Sequence, residues 1–277
     1  MLAAGLALAS SVVWGVSDFV GGMLARRHSV AAVTFLSQAC GVSALAVAAV
    51  LGGAELDREA LAIGLAAGVF GGITIVTFYQ AITLGQMSVA SPLLSLGAVL
   101  SFAVAVAAGE RPSALAYAGA PLALVGVVLA SAEEHASGGQ RRTALAFALA
   151  APLSLGGSLY LIGLASQRGG GIPAVLGARL SSVALLLALA VVVRPTFRLG
   201  ASALAATALI GMSATGAFVL FGYAADRGLI SVASVLASLY PIVTVLLAYT
   251  FVHERLRPVQ VAGAALALLG AALVTTA

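Results

Sequence analysis

The sequence predicts an all-α integral membrane protein with ten transmembrane helices, arranged as two inverted five-helix repeats. Three observations predict it. The 277-residue chain is 62% hydrophobic and only 8% charged, where a soluble domain carries about a quarter of its residues charged. Residues 60–109 contain no Asp, Glu, Lys or Arg. And one apolar, serine-dotted phrase occurs twice, as "MSVASPLLSLG" at 87–97 and "ISVASVLASLY" at 230–240.

A helix needs about 20 mainly apolar residues to cross roughly 30 Å of hydrocarbon. Cutting the chain at its charged and Gly/Pro-marked breaks gives ten such segments: 2–24, 30–51, 60–83, 87–108, 113–131, 142–165, 172–193, 202–224, 230–251 and 258–276. Their apolar runs are continuous, without the period-two alternation of barrel strands. The first segment has no basic residue ahead of it and Ala25-Arg26-Arg27 behind it, so it reads as a retained helix and not a cleaved signal.

All thirteen basic residues are Arg, and all but one fall in loops, so they read as topology signals and not as a nucleic-acid surface. Counted over alternate loops, the side holding Arg26, Arg27, Arg141, Arg142, Arg194, Arg198, Arg255 and Arg257 outweighs the side holding Arg58, Arg111, Arg168 and Arg227. This bias predicts a multi-pass protein of the cell membrane, with both termini on the same, outer side. The one cysteine, Cys40, lies within the second segment, which leaves no disulfide or metal framework and suits a small packing residue.

Sliding the chain on itself by 143 residues aligns 78–131 with 221–275, with about two in five positions identical. Phe78 meets Phe221, Gly85 meets Gly228, and "SVAS" at 88–91 meets "SVAS" at 231–234. After one inserted residue, Glu110-Arg111 meets Glu254-Arg255, and Ala118-Gly119-Ala120 meets Ala262-Gly263-Ala264. The repeats are therefore expected over 1–133 and 142–277, joined by 134–141. Five helices per repeat is an odd number, so the second enters the membrane from the opposite side. Inverted repeats of this kind hold a substrate near mid-membrane between the halves.

The polar residues inside the spans are the candidate site. Asp18, in "WGVSDF" at 14–19, would cost about 2.5–3.5 kcal/mol in hydrocarbon, so it must face a cavity, find a partner or take up a proton. Trp14 shares its helical face and Ser17 adjoins it; ligand cover and interface anchor are both open readings for Trp14. Arg179, in "LGARLSS", is the basic residue within a span; it reads as a contact for an anionic group, a partner of Asp18 or a structural anchor. Ser91 and Ser95, with Ser234 and Ser238 in the second copy, follow helical spacing and either pack helices or line a cavity. Gln38, Tyr79, Gln80 and Tyr223 complete the set as hydrogen-bonding or packing groups. Pro92 and Pro241 fall where a lost backbone bond bends a helix. Glu110-Arg111 and Glu254-Arg255 read as loop caps or ion pairs, with a gating latch as the alternative.

No enzyme constellation is present. His28, His135 and His253 lie near loops, no metal cluster is spaced for ligation, and no GxxxxGK[ST] phosphate loop occurs, so neither a cofactor nor ATP-driven pumping is expected.

On "WGVSDF" and the duplicated "GER…G…L…G" pattern at 85–129 and 228–274, the chain resembles the EamA-type transporters of the drug/metabolite transporter superfamily. The resemblance spans all ten segments. It implies an exporter or exchanger of small metabolites with a cavity between the halves, coupled to a proton or counter-substrate, in the lipid bilayer, as monomer or homodimer. A flippase for a lipid-linked or amphiphilic solute, and a structural membrane subunit without transport, are the alternatives. The chain departs from relatives in carrying Ser37-Gln38 where an Arg is frequent, and in an acidic loop at Glu55, Asp57 and Glu59.

Overall fold

Apolar side chains satisfy the lipid, but the backbone must satisfy itself, which inside a bilayer selects helices. The computed structural model describes residues 1–25, 27–84, 94, 96–130, 141–193, 199–252 and 257–275, and the regular structure among them is helical throughout. The helices are α1 (Leu2–Ala25), α2 (Val30–Leu51), α3 (Arg58–Leu84), α4 (Gly97–Ala107), α5 (Ala114–Ala130), α6 (Arg141–Gly169), α7 (Gly171–Val193), α8 (Ala201–Asp226), α9 (Ile230–Ala237), α10 (Tyr240–Leu247) and α11 (Pro258–Thr275). Six spans among the described residues are long and apolar enough to cross a membrane: Leu2–Leu24, Ala31–Leu51, Arg58–Thr77, Gly171–Val191, Ala201–Asp226 and Ile230–Phe251. Shorter apolar helices include Gly97–Ala107, Ala114–Leu129 and Pro258–Val274.

The ninth expected segment, 230–251, is not one helix. It breaks at Ser238–Leu239 into α9 and α10, and a π-helical turn at Ala248–Val252 follows. Pro241 sits in the first turn of α10. Its missing N–H cannot bond the Ala237 carbonyl, so α9 ends there, one turn ahead of the proline. The sixth segment runs longer than expected, to Gly169. Gly170, at φ +94, then reverses the chain in a single residue, a conformation that favours glycine.

Packing falls into exchanged pairs. Helix α3 packs on α6 as α8 packs on α1; α3 packs on α7 as α8 packs on α2. Helix α5 packs on α11 through small residues. A Cβ added to Gly126 would overlap the Ala267 amide and lie 2.7 Å from the Gly263 carbonyl oxygen; one added to Gly270 would overlap the Ala123 amide and lie 2.7 Å from the Gly119 carbonyl oxygen. Backbone thus meets backbone, the close approach that small residues permit in membranes. Gly126→Ala is expected to cost about 1–3 kcal/mol through overpacking, read as a lower unfolding midpoint of the purified protein. An unchanged midpoint would mean the two helices do not meet this closely.

One end of the bundle is laced together. Arg168 pairs with Glu59. Gln167 Nε2 donates to the Ala225 and Gly228 carbonyls at 3.0 and 3.3 Å. Gly228 abuts Ala3, and Gly169 leaves no room for a side chain against Asp57. Asp57 Oδ1 itself accepts from the Ala60 N–H at 2.8 Å, capping the start of α3.

Candidate functional site

Two tight crossings set the geometry at the bundle centre. A Cβ on Gly68 of α3 would overlap the Ala178 carbonyl of α7, and one on Gly211 of α8 would overlap the Ser37 carbonyl of α2. The residues after those carbonyls, Arg179 and Gln38, are thereby brought face to face. The Arg179 side chain donates through one terminal nitrogen to Gln38 Oε1 and through the other to the Ala214 carbonyl at 3.4 Å. Its guanidinium lies 4.3 Å from the centroid of the Phe218 ring. A further donor, Nε, is buried without a partner among the described residues, as are Ser182 Oγ and Thr215 Oγ1. Arg179 is 7% exposed.

A third crossing brings in the aromatics. Gly15 of α1 leaves room for Val243 and the Tyr240 carbonyl of α10, and Thr244 Oγ1 donates to the Gly15 carbonyl at 3.1 Å. One residue before Gly15, Trp14 meets Phe218 edge to face, with centroids 4.5 Å apart, and Tyr240 at 6.2 Å and 70°. The result is a row in the order Arg179, Phe218, Trp14, Tyr240.

These groups line a cavity of about 290 Å³ that draws walls from helices on both sides of the 131–140 connection. Asp18, one turn beyond Trp14 on α1, also lines it. It is exposed, and among the described residues it makes neither a hydrogen bond nor an ion pair. The ion pairs there are Arg168–Glu59 and Arg227–Asp226. Asp18 and Arg179 therefore share a cavity without bonding to each other.

Of the residues picked from sequence, Trp14, Ser17, Asp18, Gln38, Arg179 and Ser238 come together on this cavity. Two of the hydroxyls are already spent on their own helices: Ser17 Oγ donates to the Val13 carbonyl and Ser238 Oγ to that of Val235, at 2.8 and 2.7 Å. Two others do not line this cavity. Ser234 is fully buried against Ser101 of α4, with oxygens 2.7 Å apart; its small hydroxyl joins two helices and does not line a cavity. Tyr223 lies at the end of α8 with the Arg227 guanidinium 5.1 Å from its ring centroid, because α8 carries it past the cavity toward the laced end. Ser91 and Ser95, and the side chains of Tyr79 and Gln80, lie outside the described residues.

The expected Glu110-Arg111 cap is also redirected. Glu110 reaches across to α9, where Oε1 accepts from the Ile230 N–H at 2.7 Å and Oε2 from the Ser231 N–H at 2.9 Å and Ser231 Oγ at 2.6 Å. The carboxylate so satisfies donors that a helix N-terminus leaves unbonded, and meets its positive dipole end. This belongs to the laced end, and it ties residue 110 to the repeated phrase at 230.

Phe218 and Tyr240 were not picked from sequence. An aromatic in an apolar span carries no periodic signal of its own, although Tyr240 closes the second copy of the repeated phrase.

Comparison with known proteins gives two findings. A model described as the EamA-like transporter family matches residues 1–132 and 142–276. A solved structure described only as the crystal structure of a protein aligns over 99% of this chain and 96% of its own, with a TM-score of 0.81 and 21% sequence identity; the likeness is one of fold. No curated protein matches.

Proposed function

The chain belongs to the EamA-like transporter family, and from that premise we propose that it is a secondary-active transporter that carries a small metabolite across the cell membrane by alternating access. The observation that carries the reading is the central cavity with an unpartnered carboxylate on its wall. A charge at this depth has no value to a purely structural subunit, since it lowers stability unless something binds it.

Alternating access needs two halves that exchange roles. The exchanged helix pairs support ten spans in two inverted repeats. So does the reciprocal contact of Gly126 with Gly263 and Gly270 with Gly119, since these glycines are partners in the internal alignment. Ala3 and Val274 both pack toward the laced end, through Gly228 and Gly119, which favours termini on one side. The laced end reads as the closed face of the cavity. Rocking the halves would part it and close the other, past a site that itself stays put.

The test is two-sided accessibility. With Cys40→Ser as background, Leu155→Cys places one thiol on the cavity wall. A membrane-impermeant maleimide is expected to label it in both right-side-out and inside-out vesicles. Labelling from one side only, under every ion gradient, would overturn alternating access.

A further inference from the structure

We propose that the ligand of this cavity is a small organic cation, its ammonium group held by Asp18 and walled by Trp14 and Tyr240. The inference rests on the transporter reading and names the substrate class of the same site.

Two charges face the cavity, and they are in opposite conditions. Arg179 is already engaged by the protein through both of its terminal nitrogens and is only 7% exposed. One terminal nitrogen is taken by Gln38, the other by the Ala214 carbonyl, and Nε is buried. Its positive charge is further occupied by the face of Phe218 at 4.3 Å, itself an attractive cation–aromatic contact. Arg179 is thus a strut between α7, α2 and α8. Asp18 is the reverse: it is exposed to the cavity and both carboxylate oxygens are open. A carboxylate without a protein partner gains most from a cation that also satisfies its acceptors.

The surroundings select the kind of cation. Trp14 lies one turn back on the same face of α1, and Tyr240 stands against it at 6.2 Å. Indole and phenol faces attract ammonium groups, indole most strongly. A divalent metal is the wrong guest, because it needs six or more oxygen ligands for calcium or near-octahedral oxygens for magnesium. No group of three His, Cys, Asp or Glu exists among the described residues. Size narrows the class further: about 290 Å³ falls at or below the small end of ligand pockets, which run from about 300 to 1,000 Å³. The lining is mainly apolar and includes Leu155, Leu159, Ile162 and Val175, so the body attached to the ammonium is apolar.

The experiment uses the purified full-length chain in lipid nanodiscs and three probes of one shape: phenethylammonium, phenylpropionate and phenylethanol. Binding is measured by equilibrium dialysis with labelled probe. Phenethylammonium is expected to bind at least tenfold more tightly than the other two. Asp18→Asn is expected to weaken it at least thirtyfold, Asp18→Glu much less, and Trp14→Leu about tenfold. Unfolding midpoints of the variants are recorded alongside, and Asp18→Glu keeps the test decisive if Asp18→Asn folds poorly. Tighter binding of phenylpropionate would overturn the inference in favour of an anion at Arg179. Equal binding by wild type and Asp18→Asn would reduce it to apolar adsorption. No ammonium binding, with the Leu155→Cys thiol still labelled from both sides, would leave a transporter whose Asp18 serves a proton alone; one-sided labelling would instead bring down the transporter reading itself.

Discussion

Asp18→Asn is expected to abolish gradient-driven uptake in proteoliposomes while the protein still inserts and folds. The substitution keeps the shape of the side chain and removes its charge. Among the described residues Asp18 bonds to nothing, so little native structure depends on it, and a neutral amide is the cheaper group to hold at this depth. What is lost is the ability to bind a cation or a proton. Removing one member of a desolvated charge pair costs about 2–5 kcal/mol, and each 1.4 kcal/mol is about tenfold, so the initial rate should fall by about 30-fold or more. Uptake would be measured under an imposed pH gradient and under an outward gradient of unlabelled solute. Normal pH-dependent uptake by the variant would rule out a coupling role for Asp18.

Glu110→Ala is expected to unlatch the laced end. The native carboxylate accepts three hydrogen bonds from the start of α9. Hydrogen bonds to a charged group contribute about 1.5–3 kcal/mol each, but three on one carboxylate do not add in full. A net bias of about 3 kcal/mol toward the closed face is a reasonable magnitude, which is about 100-fold in population. The variant should therefore label its Leu155→Cys thiol much faster from the face that carries the 108–113 and 226–230 loops. Glu110→Gln should fall between, since an amide oxygen still accepts but carries no charge toward the helix N-terminus. Ser231→Ala removes the hydroxyl contact alone and should move the rate least. An unchanged labelling rate in all three would make the contact an ordinary cap with no part in gating.

The all-helical, apolar character of the chain is legible because lipid imposes simple rules. Runs of Ala, Leu, Val and Gly between Arg-bearing loops mark apolar helices, six of which among the described residues are long enough to span, and the duplicated Gly and Ser positions lead to the expectation of two halves. Asp18 and Arg179 stood out because charge inside a span is costly. What escaped was how Arg179 is held. Nothing in "LGARLSS" says that Arg179 meets Gln38, since that pairing depends on Gly68 and Gly211 letting two helix crossings close, 143 positions apart in sequence. The Ser faces leave packing and cavity lining undivided. Serine in a membrane helix can bond its own preceding turn, as Ser17 and Ser238 do, or join two helices, as Ser234 does, and the spacing is the same for both. The break at Ser238 was foreshadowed by Pro241, but its location depends on which carbonyl loses its donor, one turn earlier than the proline itself.

Trp14 is the single tryptophan among 277 residues, and it stands on the wall of the central cavity. The indole emission of the unlabelled protein therefore comes from one address. Quenching, spectral shift or energy transfer from Tyr240 would each read occupancy or rehydration of that address directly, so stopped-flow optics can follow the working cycle without a dye or an engineered probe.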